Sequence, residues 1–168
     1  MAITVTNKIP HVDSSDVLHA VAAISANSPD LTPRSYATLR ELSRQSRVAI
    51  ATDADTVVGW LIAEPLTETV DEIGMAYVHP EYRKRGLLKQ MIPLLLQKNK
   101  TQVFATYQPE LLQYAITTHG FTRSTFRGVL FASKGTFLKK RLSLTILTKI
   151  VKRTAKQNVQ YGIRKAQS

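Results

Sequence analysis

Apolar and polar positions alternate or cluster along the first third of the chain in patterns that predict strands and helices. Residues 3–6, 47–52 and 56–64 are strand-like, and a polar turn at 53–55 joins the last two as a hairpin. Two helices are predicted between residue 13 and this hairpin, because apolar residues recur there at helical spacing after capping residues. We expect a bulge at Gly59 in the second hairpin strand.

The middle of the chain repeats a strand–helix pattern. Residues 71–78 and 101–106 are predicted strands, and apolar helical runs follow them at 86–98 and 109–118. Pro93 removes one hydrogen bond of the first of these helices, so a kink is expected there. This order of elements predicts an α/β or α+β sandwich with a mixed sheet.

The last part of the chain has a different pattern. Further strands are predicted at 121–125 and 128–132. Beyond them, apolar residues recur every four positions with lysines and arginines elsewhere around the turn, which predicts a basic amphipathic helix over residues 137–156. Residues 142–146 also alternate like a strand, so a final strand there is the alternative.

Most of the net charge of +11 lies in the last fifth of the chain. Residues 133–168 contain ten basic and no acidic residues, whereas the remainder contains 13 basic and 12 acidic ones. We therefore interpret residues 1–133 as a globular domain and residues 134–168 as a basic amphipathic C-terminal extension. The extension could pack on the domain or on a second copy, bind RNA, or lie on an anionic membrane surface.

Composition excludes several classes of protein and site. The chain has no cysteine, so it has no disulfide framework and no thiolate metal or redox site. No histidine or carboxylate cluster has metal-ligand spacing, and no metal is expected. No apolar run resembles a signal peptide or a membrane span, so we expect a soluble cytoplasmic protein.

Residues 76–88 are the most informative stretch for function. A β-branched and aromatic run ends at Pro80, and a basic turn follows before Gly86 and an apolar helical run. A turn between a strand and a helix directs free backbone N–H groups and the positive end of the helix dipole at one place. Such a place can bind a diphosphate.

These residues resemble motif A of the GNAT family of N-acetyltransferases, in which Arg or Gln is followed by two residues, Gly, one residue and Gly or Ala. Arg83 and Gly86 match, whereas Leu88 stands where the family usually has a small residue. Residues 119–121 resemble the family's helix-to-strand junction. The resemblance spans residues 47–132 and implies a GNAT-like α/β fold, with a mixed, mostly antiparallel central sheet flanked by helices.

The resemblance also implies an activity, transfer of an acetyl group from acetyl-CoA to a primary amine. Backbone N–H groups of the turn would bind the diphosphate of coenzyme A, the basic side chains would add attraction, and backbone groups at the strand end would hold the pantetheine arm. The cofactor-binding residues expected on this basis are Tyr77, Val78, Arg83, Lys84, Arg85, Gly86, Leu87 and Leu88.

Glu72 is the candidate general base. It lies six residues before Val78, a place that resembles that of the glutamate base in the histone-acetylating branch of the family. On a regular strand it would share a face with Gly74, Ala76 and Val78. A lysine amine, with a pKa of about 10.4, needs such a base near neutral pH. An exposed glutamate at a strand start is the alternative, and Asp71 is a weaker candidate.

A general acid is harder to assign. The family often has a tyrosine four residues before the glycine of this junction, which is Gly120 here, and this chain has Ile116 at that position. Tyr114 is the candidate catalytic residue, but it lies two residues away, which is about 200° around a helix. Either Tyr114 or Tyr107 reaches the sulfur differently, or the thiolate leaves unaided, since the pKa of a thiol is only about 8.5.

The acceptor is not indicated by any motif. We expect a small-molecule or peptide amine. One alternative is an RNA-directed enzyme that acetylates the α-amine of aminoacyl-tRNA and uses the basic extension to bind RNA. Another is a binding module that keeps the fold without catalysis, and a homodimer is a further expectation.

Overall fold

The structure, a computed structural model, describes residues 2–28, 31, 33–139 and 159–167. Their seven strands have the order β1-β2-β3-β4-β5-β7-β6 in the sheet. The strands are β1 Ile3–Thr6, β2 Val48–Asp53, β3 Thr56–Pro65, β4 Val70–Val78, β5 Thr101–Thr106, β6 Thr122–Ser124 and β7 Gln160–Arg164. The helices are α1 Asp16–Asn27, α2 Tyr36–Arg44, α3 Leu87–Leu94, α4 Pro109–His119, α5 Phe126–Ala132 and α6 Thr136–Lys139, with 3-10 turns at Val12–Ser14 and Pro80–Tyr82.

The chain divides into two compact units. The first comprises Met1–Ala63 and Met75–Leu95, and the second comprises Glu64–Gly74 and Leu96–Ser168. The boundary between the two units falls within β4, after Gly74. The domain boundary that we place at residue 134 stays a prediction.

The first unit contains β1, β2 and most of β3, with α1, α2 and α3. The strands β1 and β2 are antiparallel, as are β2 and β3. The pairing passes from Ala51–Gly59 to Thr52–Val57, which leaves Val58 as an extra residue on β3. This bulge beside Gly59 confirms the expectation. Trp60 is fully buried and belongs to the core on which α1 and α2 pack.

The starts of α1 and α2 are set by serine caps. The side chain of Ser15 accepts a hydrogen bond from the N–H of Leu18, and Ser35 accepts one from Thr38. The third helix ends at Leu94, directly after Pro93, rather than continuing through a kink to residue 98. The side-chain amide of Asn7 then donates to the carbonyl of Leu94 at 2.7 Å, which satisfies one of the carbonyls at the helix end.

The second unit contains β5, β6 and β7 with α4, α5 and α6. The first half of β4 is parallel to β5, while β5 and β6 are each antiparallel to β7. The predicted mixed, mostly antiparallel sheet with flanking helices is therefore confirmed. Gly162 of β7 lies against Leu112 of α4 and against Phe121, because a Cβ there would come within 2.8 Å of Leu112 and 3.4 Å of Phe121.

Two expectations for the end of the chain differ from the structure. The strand predicted at 128–132 is wrong, because these residues belong to α5, whose N-cap Thr125 accepts a hydrogen bond from Gly128. The strand β7 had no counterpart among the predicted elements. Most of the predicted helix 137–156, and the alternative strand 142–146, lie outside the described residues.

No helix in the described part of the chain is long and apolar enough to cross a membrane.

Candidate active site

The basic turn lies between β4 and α3 in the first unit. The backbone leaves β4 through the 3-10 turn Pro80–Tyr82, enters the left-handed region at Lys84 with φ 63° and again at Gly86 with φ 75°, and α3 begins at Leu87. A glycine adopts this conformation without the steric cost that a Cβ imposes. A Cβ on Gly86 would meet no atom within 4 Å, so the backbone conformation, rather than a close neighbour, requires glycine there.

The N–H groups of this turn are unoccupied by the chain itself. Within the described residues, the N–H groups of Arg85, Gly86, Leu87 and Leu88 donate no hydrogen bond, whereas the N–H of Gln90 donates to the carbonyl of Gly86 at 3.2 Å. Leu87 is buried and fixes the start of α3 to the core. These four groups can therefore all bind an anion.

The turn contains three exposed cations, Arg83, Lys84 and Arg85, and two of them have defined contacts. The Nε of Arg83 donates to the carbonyl of Val78 at 3.2 Å, which ties the turn to the end of β4. The guanidinium of Arg85 lies 4.9 Å from the centre of the Tyr82 ring. The hydroxyl of Tyr82 donates to Oδ2 of Asp53 at 2.8 Å.

At the end of β4, the side chain of Tyr77 packs in the core and the carbonyls of Tyr77 and Val78 have close neighbours. The ring of Tyr77 stacks on Trp60 with centroids 4.4 Å apart, so it belongs to the core. The carbonyl of Tyr77 lies beside Gly59, where a Cβ would be 3.0 Å away. The carbonyl of Val78 already accepts from Arg83. Any role of Tyr77 at the site therefore belongs to its backbone.

Glu72 is half-buried on the part of β4 that belongs to the second unit. Its side chain lies beside Gly74, as expected, because a Cβ on Gly74 would be 3.3 Å from the Oε1 of Glu72. The expected common face with Ala76 and Val78 does not follow, since Met75 has φ 52° and interrupts the alternation of the strand.

Asp71 is excluded as an accessible base. Its side chain is fully buried, and its carboxylate forms an ion pair with Lys100 at 3.5 Å. A fully buried carboxylate paired with a lysine has a structural role and cannot meet a dissolved amine.

Tyr114 lies on α4 in the second unit with its ring edge-on to His119, the centroids being 5.1 Å apart. The structure thus brings together the side chains of Tyr114 and His119, which both lie shortly before Gly120 in the sequence. Burial and the charge of Arg164 lower the pKa of His119 below its ordinary value of 6.5. Arg164 also donates to the carbonyl of His119 at 3.1 Å.

A sequence profile described as the Acetyltransferase (GNAT) family matches residues 18–118, which is more than half of the chain. The chain belongs to the GNAT acetyltransferase family. Members of this family use acetyl-CoA as the acetyl donor. The predicted family and donor are therefore confirmed, while the roles of individual residues stay predictions.

Solved structures similar to this GNAT chain support the same fold. N-acetylglutamate synthase from Neisseria gonorrhoeae, in complex with coenzyme A and N-acetyl-glutamate, is 13% identical with a TM-score of 0.56, and the match covers 100% of this chain and 36% of that one. Ard1 from Thermoplasma volcanium is 15% identical with a TM-score of 0.54, and both chains are covered completely. At these identities the likeness concerns the fold alone, and this chain spans about a third of the length of the first structure.

A third similar structure is the ribosomal-protein-S18-alanine N-acetyltransferase from Escherichia coli. It is 12% identical with a TM-score of 0.55, and the match covers 99% of this chain and 96% of that one. The comparison with curated proteins found no match.

Two residues at the site had no counterpart among the sequence-based candidates. Neither Tyr82 nor Asp53 was a candidate, although Tyr82 directly precedes the motif arginine. Their hydrogen bond joins residues 29 positions apart, and no local pattern predicts it. Among the described residues, no group of three His, Asp or Glu side chains lies close enough together to hold a metal ion.

Proposed function

We propose that this GNAT chain transfers the acetyl group of acetyl-CoA to a primary amine and holds the diphosphate of the donor at the start of α3. The observation that carries the proposal is the set of N–H groups of residues 85–88, which have no acceptor in the described chain. They meet the positive end of the helix dipole, and three cations lie beside them. Charge-assisted hydrogen bonds of this kind each contribute about 1.5–3 kcal/mol.

The remaining cofactor assignments, which the family resemblance implies, are part of the same proposal. Arg83, Lys84 and Arg85 attract the phosphates, and Gly86 permits the left-handed turn that exposes the N–H groups. Leu88 differs from the usual small residue but retains its N–H. The backbone groups of Tyr77 and Val78 are assigned to the pantetheine arm. The first turn of α3, which includes Leu87, supplies the other donors.

The chemistry assigns one proton transfer to each candidate catalytic residue. The amine nitrogen attacks the carbonyl carbon of the thioester, a carbon–nitrogen bond forms, and the carbon–sulfur bond breaks with the electron pair leaving on sulfur. Glu72 accepts a proton from the amine nitrogen, and Tyr114 donates one to the thiolate. The assignment of Glu72 as the base is supported by its place beside Gly74, where no Cβ fills the space next to the carboxylate.

The acceptor class is a primary amine on a small molecule or peptide. Two of the similar structures carry an acetylated amine in their names, N-acetylglutamate synthase and the S18-alanine N-acetyltransferase, which supports this class. Aminoacyl-tRNA is a second candidate, because the cations of residues 133–168 favour an RNA partner. Its α-amine has a pKa near 8 and needs little help from a base.

Calorimetric titration of acetyl-CoA tests the phosphate assignment. We expect Gly86→Val to weaken binding at least about tenfold, because valine at a φ of 75° would move the N–H groups. Gly135→Val is the matched control, since Gly135 has a φ of 77° and also has open space around its Cβ position. The control should bind acetyl-CoA as the wild type does.

The possible results separate the two parts of the proposal. Equal affinity in wild type and Gly86→Val would contradict the assignment of the diphosphate to this turn. No binding of acetyl-CoA by the folded wild type would contradict the proposed function itself.

A further inference from the structure

Tyr82 connects the basic turn to a separate part of the first unit. Its hydroxyl donates to Oδ2 of Asp53 at 2.8 Å, at the end of β2. The centre of its ring lies 4.9 Å from the Cζ of Arg85 and 5.9 Å from the centre of the His79 ring. One side chain thus contacts both a strand end and a cation of the turn.

The residues of the turn do not by themselves favour one backbone conformation. Lys84 is a non-glycine residue in the left-handed region, which costs about 1–2 kcal/mol. Three consecutive residues, Arg83, Lys84 and Arg85, are positively charged and exposed, so they repel one another. An isolated turn with this sequence would sample several conformations, and only some would direct all the N–H groups at one anion.

The contact with Asp53 supplies the constraint that the turn lacks. Among the described residues, it is the one side-chain hydrogen bond that joins residues 80–86 to a strand other than β4. The hydrogen bond to Asp53 raises the pKa of Tyr82 above its ordinary value of 10.0, so the hydroxyl remains a donor near neutral pH.

We propose that Tyr82 is a positioning residue for acetyl-CoA, which orders the phosphate-binding turn through its hydrogen bond to Asp53 and orients Arg85 through its ring. The inference rests on the proposed function, since it concerns the same turn. Its physical basis is pre-organisation: a turn that is already ordered loses less conformational entropy when the diphosphate binds. Tyr82 itself touches no reacting atom.

A double-mutant cycle on Tyr82 and Asp53 tests the inference. Tyr82→Phe removes the hydrogen bond and keeps the ring under Arg85, and Asp53→Ala removes the acceptor. We expect each variant to raise the Kd for coenzyme A about fivefold in calorimetry, and the double variant to raise it about fivefold rather than about 25-fold, because both changes break one contact.

Two further measurements separate positioning from general stability. Tyr36→Phe is the matched control, because it removes another hydroxyl hydrogen bond of the first unit, to the carbonyl of Val12 at 3.1 Å. This control should leave the Kd for coenzyme A unchanged. In an acetyl-transfer assay, Tyr82→Phe should raise KM for acetyl-CoA about fivefold with kcat within about twofold of wild type.

The outcomes are distinguishable. Suppose that the wild type binds coenzyme A. The positioning role is then overturned if the effects of Tyr82→Phe and Asp53→Ala multiply, or if Tyr36→Phe weakens binding as much as Tyr82→Phe, and in either case the proposed function stands. If the wild type binds no coenzyme A, both are overturned. If Tyr82→Phe does not fold, Asp53→Ala alone decides, and an unchanged Kd in that variant overturns the inference.

Discussion

Glu72 is the residue on which the rate of acetyl transfer should depend most. We expect Glu72→Gln to lower kcat with an alkyl-amine acceptor about tenfold or more at pH 7, because nearly all of such an amine is protonated and must lose a proton before attack. The measurement is a steady-state assay of thiol release.

Glu68→Gln is the matched control for this prediction. Glu68 is an exposed glutamate four residues earlier in the chain, and its substitution makes the same chemical change. We expect it to retain the wild-type rate. A rate for Glu72→Gln equal to that of the control would remove Glu72 as the base.

His119 should make the stability of the protein depend on pH. Burial, and secondly the charge of Arg164, lower the pKa of His119 below 6.5 in the folded state. Between that lowered pKa and 6.5 the unfolded chain binds more protons than the folded one, so the free energy of unfolding decreases as pH falls below about 6.5. Denaturant unfolding between pH 5 and 8 should show a smaller decrease for His119→Gln, and an identical pH profile in both proteins would contradict this.

Residue types and spacing identified the turn but not its geometry. Gly86 was recognisable because the left-handed conformation at its place in the turn favours glycine, and Arg83 was recognisable because it matches the family motif. Met75 and Lys84 were not recognisable, since neither residue type favours the left-handed region that both occupy. The surroundings of Met75 in β4 therefore impose its conformation, and local sequence contains no signal for it.

Secondary structure was predicted correctly where apolar residues follow a regular strand or helix pattern, and it was missed or wrong where they do not. The strand β5 has the predicted bounds, because apolar and β-branched residues dominate it. The segment of α5 has the composition of a strand, and its cap Thr125 was the missed signal of a helix. In β7 the buried residues are Gly162 and Arg164, which do not form a hydrophobic pattern.

Arg164 explains how β7 is held without such a pattern. Its buried guanidinium donates to the carbonyls of His119 and Gln97 and to Oε1 of the buried Gln102, at 3.1–3.2 Å. We expect Arg164→Met to lower the free energy of unfolding by about 2–4 kcal/mol, because three acceptors lose their donor at once. Urea unfolding measures this.

Lys165→Met is the control for Arg164→Met, because it removes the same charge from the next, exposed residue. It should change stability by less than about 0.5 kcal/mol. Equal effects of the two substitutions would show that net charge, rather than the buried hydrogen bonds, is responsible.

For the whole molecule, the position of β7 changes how the basic region can be tested. Deleting everything after residue 137 would also remove β7, which pairs with β5 and β6. Loss of RNA binding in such a deletion would therefore not distinguish charge from folding. The six cations of residues 140–158 can instead be replaced by neutral residues while β7 is retained, because they lie between α6 and β7 in the sequence.

Replacing Lys140, Arg141, Lys149, Lys152, Arg153 and Lys156 by glutamine lowers the net charge from +11 to +5. If these cations bind phosphates of tRNA, the Kd measured at about 50 mM salt should rise at least about tenfold, and the dependence of log Kd on log salt should become shallower, since fewer counterions are released. The affinity for acetyl-CoA should stay unchanged, because the turn at 83–88 retains its cations. Equal tRNA binding and salt dependence in both proteins would exclude this segment as the RNA contact, and the acceptor would then have to be sought among small-molecule and peptide amines.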